Sequence, residues 1–213
     1  MALNKLKFNS LNVTPTAGKA VGFNSSANGL EATLSGGAMT FISKSTASSS
    51  STISFTSGID STYKEYIFYY TSMHPQTDGS HFQVNFRDGG TNYDAIKTST
   101  YFASRHKEDG TDATVGYDTD FHLAQSTNFQ TLVGYLSADN DHACSGYIHL
   151  FNPSSTTFVK HYLSVTSNTN INDYNKVTRS AGYCNTTVAI DGVQFKMSSG
   201  NIDAGTITLY GIN

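Results

Sequence analysis

Apolar residues recur at every second position along most of this chain, and no stretch holds a convincing 3.6-residue helical spacing. Val193, Phe195 and Met197 alternate with Gln194, Lys196 and Ser198; after Gly200 and Asn201, Ile207 and Leu209 alternate with Thr206, Thr208 and Tyr210. That pattern reads as a closing hairpin of two half-buried strands, with Gly and Asn suited to the positive φ angles of its turn. Phe82, Val84 and Phe86 alternate with His81, Gln83 and Asn85, and Asp88-Gly89-Gly90 follows as a hairpin turn. Ile53 and Phe55 begin another strand, and further strands are predicted over about 95–103, 113–117, 131–137, 146–151, 157–166 and 178–190. Asp120 to Asn128 holds one helical turn at most. About ten strands joined by Gly-, Asn- and Asp-rich turns predict an all-β fold, a two-sheet antiparallel β-sandwich of jelly-roll-like topology over residues 51–213. Phe55, Phe68, Phe82, Val84, Phe86, Ile148, Leu150, Phe195 and Leu209 are its expected core.

Tyr66 to Tyr70 breaks the alternation, being aromatic or apolar at all five positions. A strand of that kind is either central and covered on both faces or placed at a subunit contact. Tyr66, Phe68 and Tyr70 are therefore expected at a contact between copies, and a homo-oligomer is the expected assembly.

Residues 1–50 follow a different pattern. The apolar beads Leu6, Phe8, Leu11, Val13, Val21, Phe23, Leu30 and Leu34 are separated by Gly, Ser and Asn, and 45–52 is almost all Ser and Thr. Ordering such a backbone costs about 1–2 kcal/mol per residue, more than burial of these beads returns at about 1.5–3 kcal/mol each. Contacts from outside must supply the difference. The segment reads as an attachment arm in which Leu6, Phe8, Leu11, Val13 and Phe23 dock.

Composition narrows the functions. Charged residues make up 14% of the chain and aromatics 12%, with 13 Tyr, 13 Phe and no Trp. A net charge of −3 offers no concentrated positive face, so nucleic acid is not an expected partner. No run reaches the roughly 20 apolar residues of a membrane helix, and Met1 to Lys7 has no apolar stretch behind it that would make a secretory signal. Folding in a cytoplasm is the expectation. Cys144 and Cys184 lack zinc spacing and are expected as free core residues.

The candidate chemistry is thin. His149 and His161 fall on adjacent predicted strands beside His81, but without the paired spacings of a zinc site. Asp118-x-Asp120 and Asp139-x-Asp141 offer oxygens to calcium, yet no Glu closes either loop. No nucleophile elbow, phosphate-cradling glycine loop or Cys/His setting occurs, and the acids sit in turns where a raised pKa is not expected. No enzyme activity, metal or cofactor is expected. Loop tyrosines remain as binding candidates: Tyr93, Tyr101, Tyr117 and Tyr174, together with Tyr63 and Tyr69, since exposed rings stack on sugars and also form subunit contacts.

Four segments carry a resemblance: Phe55 to Tyr63, Leu123-Ala124-Gln125-Ser126-Thr127, Leu150 to Thr157, and Met197-Ser198-Ser199-Gly200-Asn201-Ile202-Asp203-Ala204-Gly205-Thr206-Ile207. They resemble a group of virion proteins of marine tailed phages that infect cyanobacteria and related bacteria, and Phe23 to Glu31 in the arm is similar to theirs as well. The resemblance implies a structural particle component with no catalytic residues. A tail-fibre or receptor-binding subunit is the first expectation, a capsid decoration protein the alternative, and a carbohydrate-binding module the third. Other virion proteins and a host-surface glycan are the implied partners, and a homotrimer, which jelly-roll-like fibre and decoration proteins often form, is the implied assembly.

Overall fold

The computed structural model describes residues 20–23, 26, 28–34 and 38–212. Of the expected arm contacts, Leu6, Phe8, Leu11 and Val13 lie outside the described residues. The chain divides into two units, 1–40 and 41–213. In the first, β1 (Ala20–Phe23) and β2 (Leu30–Leu34) form an antiparallel ribbon with Phe23 opposite Leu30. Phe23 is 72% exposed there.

The second unit begins inside β3 (Met39–Thr46) and continues through β4 (Ile53–Phe55), β5 (Glu65–Pro75), β6 (Ser80–Arg87), β7 (Lys97–Lys107), β8 (Ala113–Tyr117), β9 (Gln130–Leu136), β10 (Cys144–Phe151), β11 (Lys160–Thr169), β12 (Tyr174–Cys184), β13 (Gly192–Met197) and β14 (Ile202–Ile212). These strands make a two-sheet antiparallel β-sandwich, and none of the described residues is helical. The large sheet runs β3–β14–β5–β10–β11–β12–β7–β8 and the small one β4–β13–β6–β9. The sandwich starts at residue 41 where the sequence suggested 51, because β3 pairs with β14 and Ala47 enters the core.

The closing hairpin is corrected in the same way. β13 and β14 belong to opposite sheets, so the turn at 198–201 carries the chain across the sandwich. Alternation shows which side chains point inward, and that pattern is the same whether the next strand lies beside the last or faces it. Hydrogen bonds fix the crossing: Ser198 N donates to His81 O (2.9 Å) and Gln76 N to Asn201 O (3.0 Å).

All nine expected core residues are buried. Phe55, Phe68, Tyr70, Phe82 and Phe195 form one ring cluster with centroids 5.2–6.4 Å apart, Phe82 lying nearly parallel to Phe195. Each such pair adds about 0.5–1.5 kcal/mol beyond its burial. Tyr66, Phe68 and Tyr70 are inside this core at 0%, 0% and 1% exposure, so they cannot meet another subunit. β5 is central in the sheet and points these three inward, which leaves Ile67 and Tyr69 on the outer face.

Beneath β11, β12 and β7 the interior turns polar. Ser164, Thr166, Thr178 and Ser180 are buried there with Lys97 and Lys160, and Thr178 Oγ1 donates to Leu132 O across the sandwich (2.7 Å). Cys144 and Cys184 are buried and unpaired, and burial pushes the Cys184 thiol up to about 12.

Candidate functional site

Two surfaces of the sandwich collect side chains suited to binding. The first is the outer face of the large sheet. Pairing aligns Tyr69 of β5 with Thr208 on one side and Tyr147 on the other, so outward positions of β14, β5 and β10 form rows across the strands. Rings fill those rows. Phe41 meets Tyr210 (6.0 Å), Tyr210 meets Tyr69 (6.1 Å), and Tyr69 meets Tyr147 (6.0 Å). Tyr147 then meets His149 (5.1 Å), which stacks on Phe151 (5.8 Å). Six rings on four strands thus make a ladder, with Phe41 58%, Tyr69 39% and Phe151 36% exposed. His149 Nδ1 bonds Glu65 Oε1 at its edge.

The second surface is the outer face of the small sheet. Lys196 pairs with Gln83 and Gln83 with Thr131, placing the three in one row across β13, β6 and β9, with His81 beyond them on β6. The irregular segment 118–129 forms the facing wall with Asp120, Phe121, Leu123, Thr127, Asn128 and Phe129. Between the walls is an open cleft of about 500 Å³.

That wall is held firmly. Lys97 and Ser126 exchange both backbone hydrogen bonds (2.8 and 2.9 Å), Ser99 N donates to Leu123 O (2.9 Å), and Asn85 Nδ2 donates to Thr127 O (2.9 Å). Gln130, fully buried, donates to Phe121 O (3.0 Å). Phe121 itself packs among Tyr101 (5.1 Å), His81 (5.2 Å) and Tyr135 (5.7 Å).

The cleft carries both kinds of polar group. His81 Nδ1 accepts from Tyr135 N (3.1 Å), which puts the ring proton on Nε2 and makes that atom a donor. Burial, with the Lys176 ammonium adding to it, holds this imidazole below its ordinary pKa and so neutral. Lys196 has the Phe129 ring as its neighbour (4.3 Å) and, among the described residues, no acidic partner. Gln83 Nε2 donates to Thr131 Oγ1 (3.3 Å). The Asp120 carboxylate is exposed and takes no hydrogen bond from the described residues.

The tyrosines expected to bind are scattered. Tyr101 is 0% exposed and packs on Phe121 inside the sandwich, because β7 points it inward and turns Phe102 outward. Tyr117 is 45% exposed and bonds His122 Nδ1 (2.8 Å). Tyr174 donates to Asp112 Oδ2 (2.8 Å) beneath the Arg105 guanidinium. Tyr117 lies opposite Phe102, halfway along β7, and Tyr174 opposite Lys107 at its end. Tyr93 sits elsewhere, under Arg87 (5.9 Å). Tyr63 packs edge-on against Tyr66 (5.7 Å). Of the six, only Tyr69 joins one of the two surfaces.

His149 and His161 face outward on the large sheet while His81 faces outward on the small one, so the three histidines are on opposite sides of the sandwich. Among the described residues no three His, Cys, Asp or Glu side chains converge as a metal site would require. Asp118 Oδ1 closes a tight turn by accepting from Asp120 N (3.1 Å). The cleft residues were visible in the sequence only as the polar halves of two alternating strands, and nothing local marked 118–129 as their partner wall. No family model, curated protein or solved structure matches this chain.

Proposed function

We propose that the protein is a non-enzymatic structural subunit on the exterior of a tailed-phage particle, of the tail-fibre or receptor-binding type. Its jelly-roll-like sandwich assembles as a trimer through the outer face of the large sheet. The observation that carries this reading is the ring ladder from Phe41 through Tyr69 to Phe151. Aromatic residues are enriched at contacts between proteins, and rings aligned across four strands give a broad, shallow surface suited to another protein surface. The expectation of a contact at 66–70 thus moves to the opposite face of the same strand, to Tyr69. The resemblance of segments 55–63, 123–127, 150–157 and 197–207 to marine-phage virion proteins supports the particle setting.

Sedimentation of the full chain tests the assembly. At micromolar concentration the species should have three times the 23.0 kDa chain mass. Tyr69→Ser combined with Phe41→Ser should shift it to a folded monomer whose melting temperature no longer depends on protein concentration, since both side chains are solvent-exposed in the single chain. A monomeric wild-type chain would sink the trimer. Antibody labelling of purified particles tests the address: label on the tail supports the fibre type, and label confined to the head replaces it with a decoration role.

A further inference from the structure

The structure assigns the cleft between the small sheet and segment 118–129 as a carbohydrate site for a neutral oligosaccharide, bound through Asp120, Gln83, His81, Lys196 and Phe129. This rests on the surface-attachment reading above and names the ligand class and the residues that would serve it.

The chemistry of the lining selects the ligand. A sugar hydroxyl donates one hydrogen bond and accepts others, so a sugar site needs donors and acceptors interleaved over a few ångströms. Here the Asp120 carboxylate accepts, His81 Nε2 and the Lys196 ammonium donate, and the Gln83 and Asn128 amides do both. Phe129, with the Lys196 ammonium over its ring at 4.3 Å, adds apolar surface for the C–H groups of a pyranose, with Leu123 beside it. One ammonium and one carboxylate on the lining nearly cancel, which disfavours a polyanion such as nucleic acid or a phosphorylated chain. β6, the cleft's middle strand, is paired on both sides, so a peptide cannot add to it as a further strand. The volume of about 500 Å³ lies within the usual range for small-ligand clefts, about 300–1,000 Å³, and the cleft is open enough to admit part of a longer chain.

Preorganisation supports the same conclusion. The row Lys196–Gln83–Thr131 stands on paired strands, and the facing wall is bonded to β7 through Ser126 at Lys97 and Leu123 at Ser99. The site therefore needs little ordering when the sugar arrives, which lowers the cost of binding.

The test is a glycan array probed with the full chain, followed by calorimetry with the neutral oligosaccharides it selects. Wild type should bind a neutral glycan. Asp120→Ala and Phe129→Ala should each weaken binding at least tenfold with unchanged melting temperatures, while Val115→Ser, exposed on β8 and outside both surfaces, should leave it unchanged. A short free oligosaccharide binding as tightly as the polymer places recognition within a few sugar units; binding to the polymer alone, still lost in Phe129→Ala, means that the cleft reads one segment of a longer chain. No binding to any glycan, or binding that survives both cleft variants, overturns the site. Those outcomes leave the assembly reading standing. Cleft-dependent binding by a protein that never labels particles would keep the site and remove the virion setting.

Discussion

Lys97 shows how much a single buried side chain can decide. Its ammonium is fully enclosed and donates to Asn85 Oδ1 (2.5 Å) and Ala95 O (2.6 Å), with no carboxylate in contact. Burial lowers its pKa from 10.5 to about 8. Because the folded value lies below the unfolded one, the unfolded chain binds the extra proton between them, and stability from this group rises with pH above about 8. The shift corresponds to a cost of about 3 kcal/mol at neutral pH. Buried Cys184 and Tyr70 act in the opposite sense, since their raised values make stability fall as pH climbs through the unfolded thiol and phenol range. Both contributions are shared by the wild type and a Lys97 variant, so the difference between the two over a window of about pH 7–9 isolates the lysine. Lys97→Met should raise the melting temperature at pH 7, by an amount worth about 1–2 kcal/mol once the stranded Asn85 and Ala95 acceptors are counted. That advantage should shrink towards pH 9; a constant difference across the window would mean that the ammonium keeps an ordinary pKa. None of this was legible in the sequence, where Lys97 precedes Thr-Ser-Thr and reads as a solvated strand end.

At the scale of elements, the strands themselves were largely legible and their faces less so. β11 explains why. Its apolar residues Leu163 and Val165 point outward, while Ser164, Thr166 and Asn168 are buried. A period-2 pattern located the strand, but the polar lining of this half of the interior reverses the usual reading of inside and outside. The same reversal hid Tyr101, which was expected among exposed rings and is enclosed. Segment 118–129 was legible only as a loop; its role as a wall depends on β9, where Gly134 leaves room for the Phe121 ring directly against its Cα. A methyl group at Gly134 would collide with that ring. Gly134→Ala should destabilise the sandwich by roughly 1–3 kcal/mol, read as a lower urea midpoint with the slope unchanged. If the midpoint does not move, Phe121 has room to retreat and the wall is softer than its contacts indicate.

For the molecule as a whole, the division at residue 40 changes what a truncation means. Removing 1–40 leaves the sandwich unit with all but the first two residues of β3, and a cooperative melt close to that of the full chain is expected. Removing 1–50 also takes β3, the Ala47 N to Gly205 O bond (2.8 Å) and the paired Ser50–Ile202 bonds (both 2.8 Å). It opens the backbone edge of β14, so a lower melting temperature and edge-to-edge aggregation are expected; identical melts for the two truncations would mean that β3 adds nothing to the sheet. The position of β14 between β3 and β5 also governs how the protein is made. Thr46 meets Thr206 across 160 positions of sequence, and Ile53 of β4 waits for Phe195. At the usual pace of about 5–20 residues per second, β3 leaves the ribosome roughly ten seconds or more before its neighbour exists. During that interval β5 also lacks β14, and its outward Tyr69 has no sheet partner on that side. The strand order therefore sets a minimum time before the sheet can close.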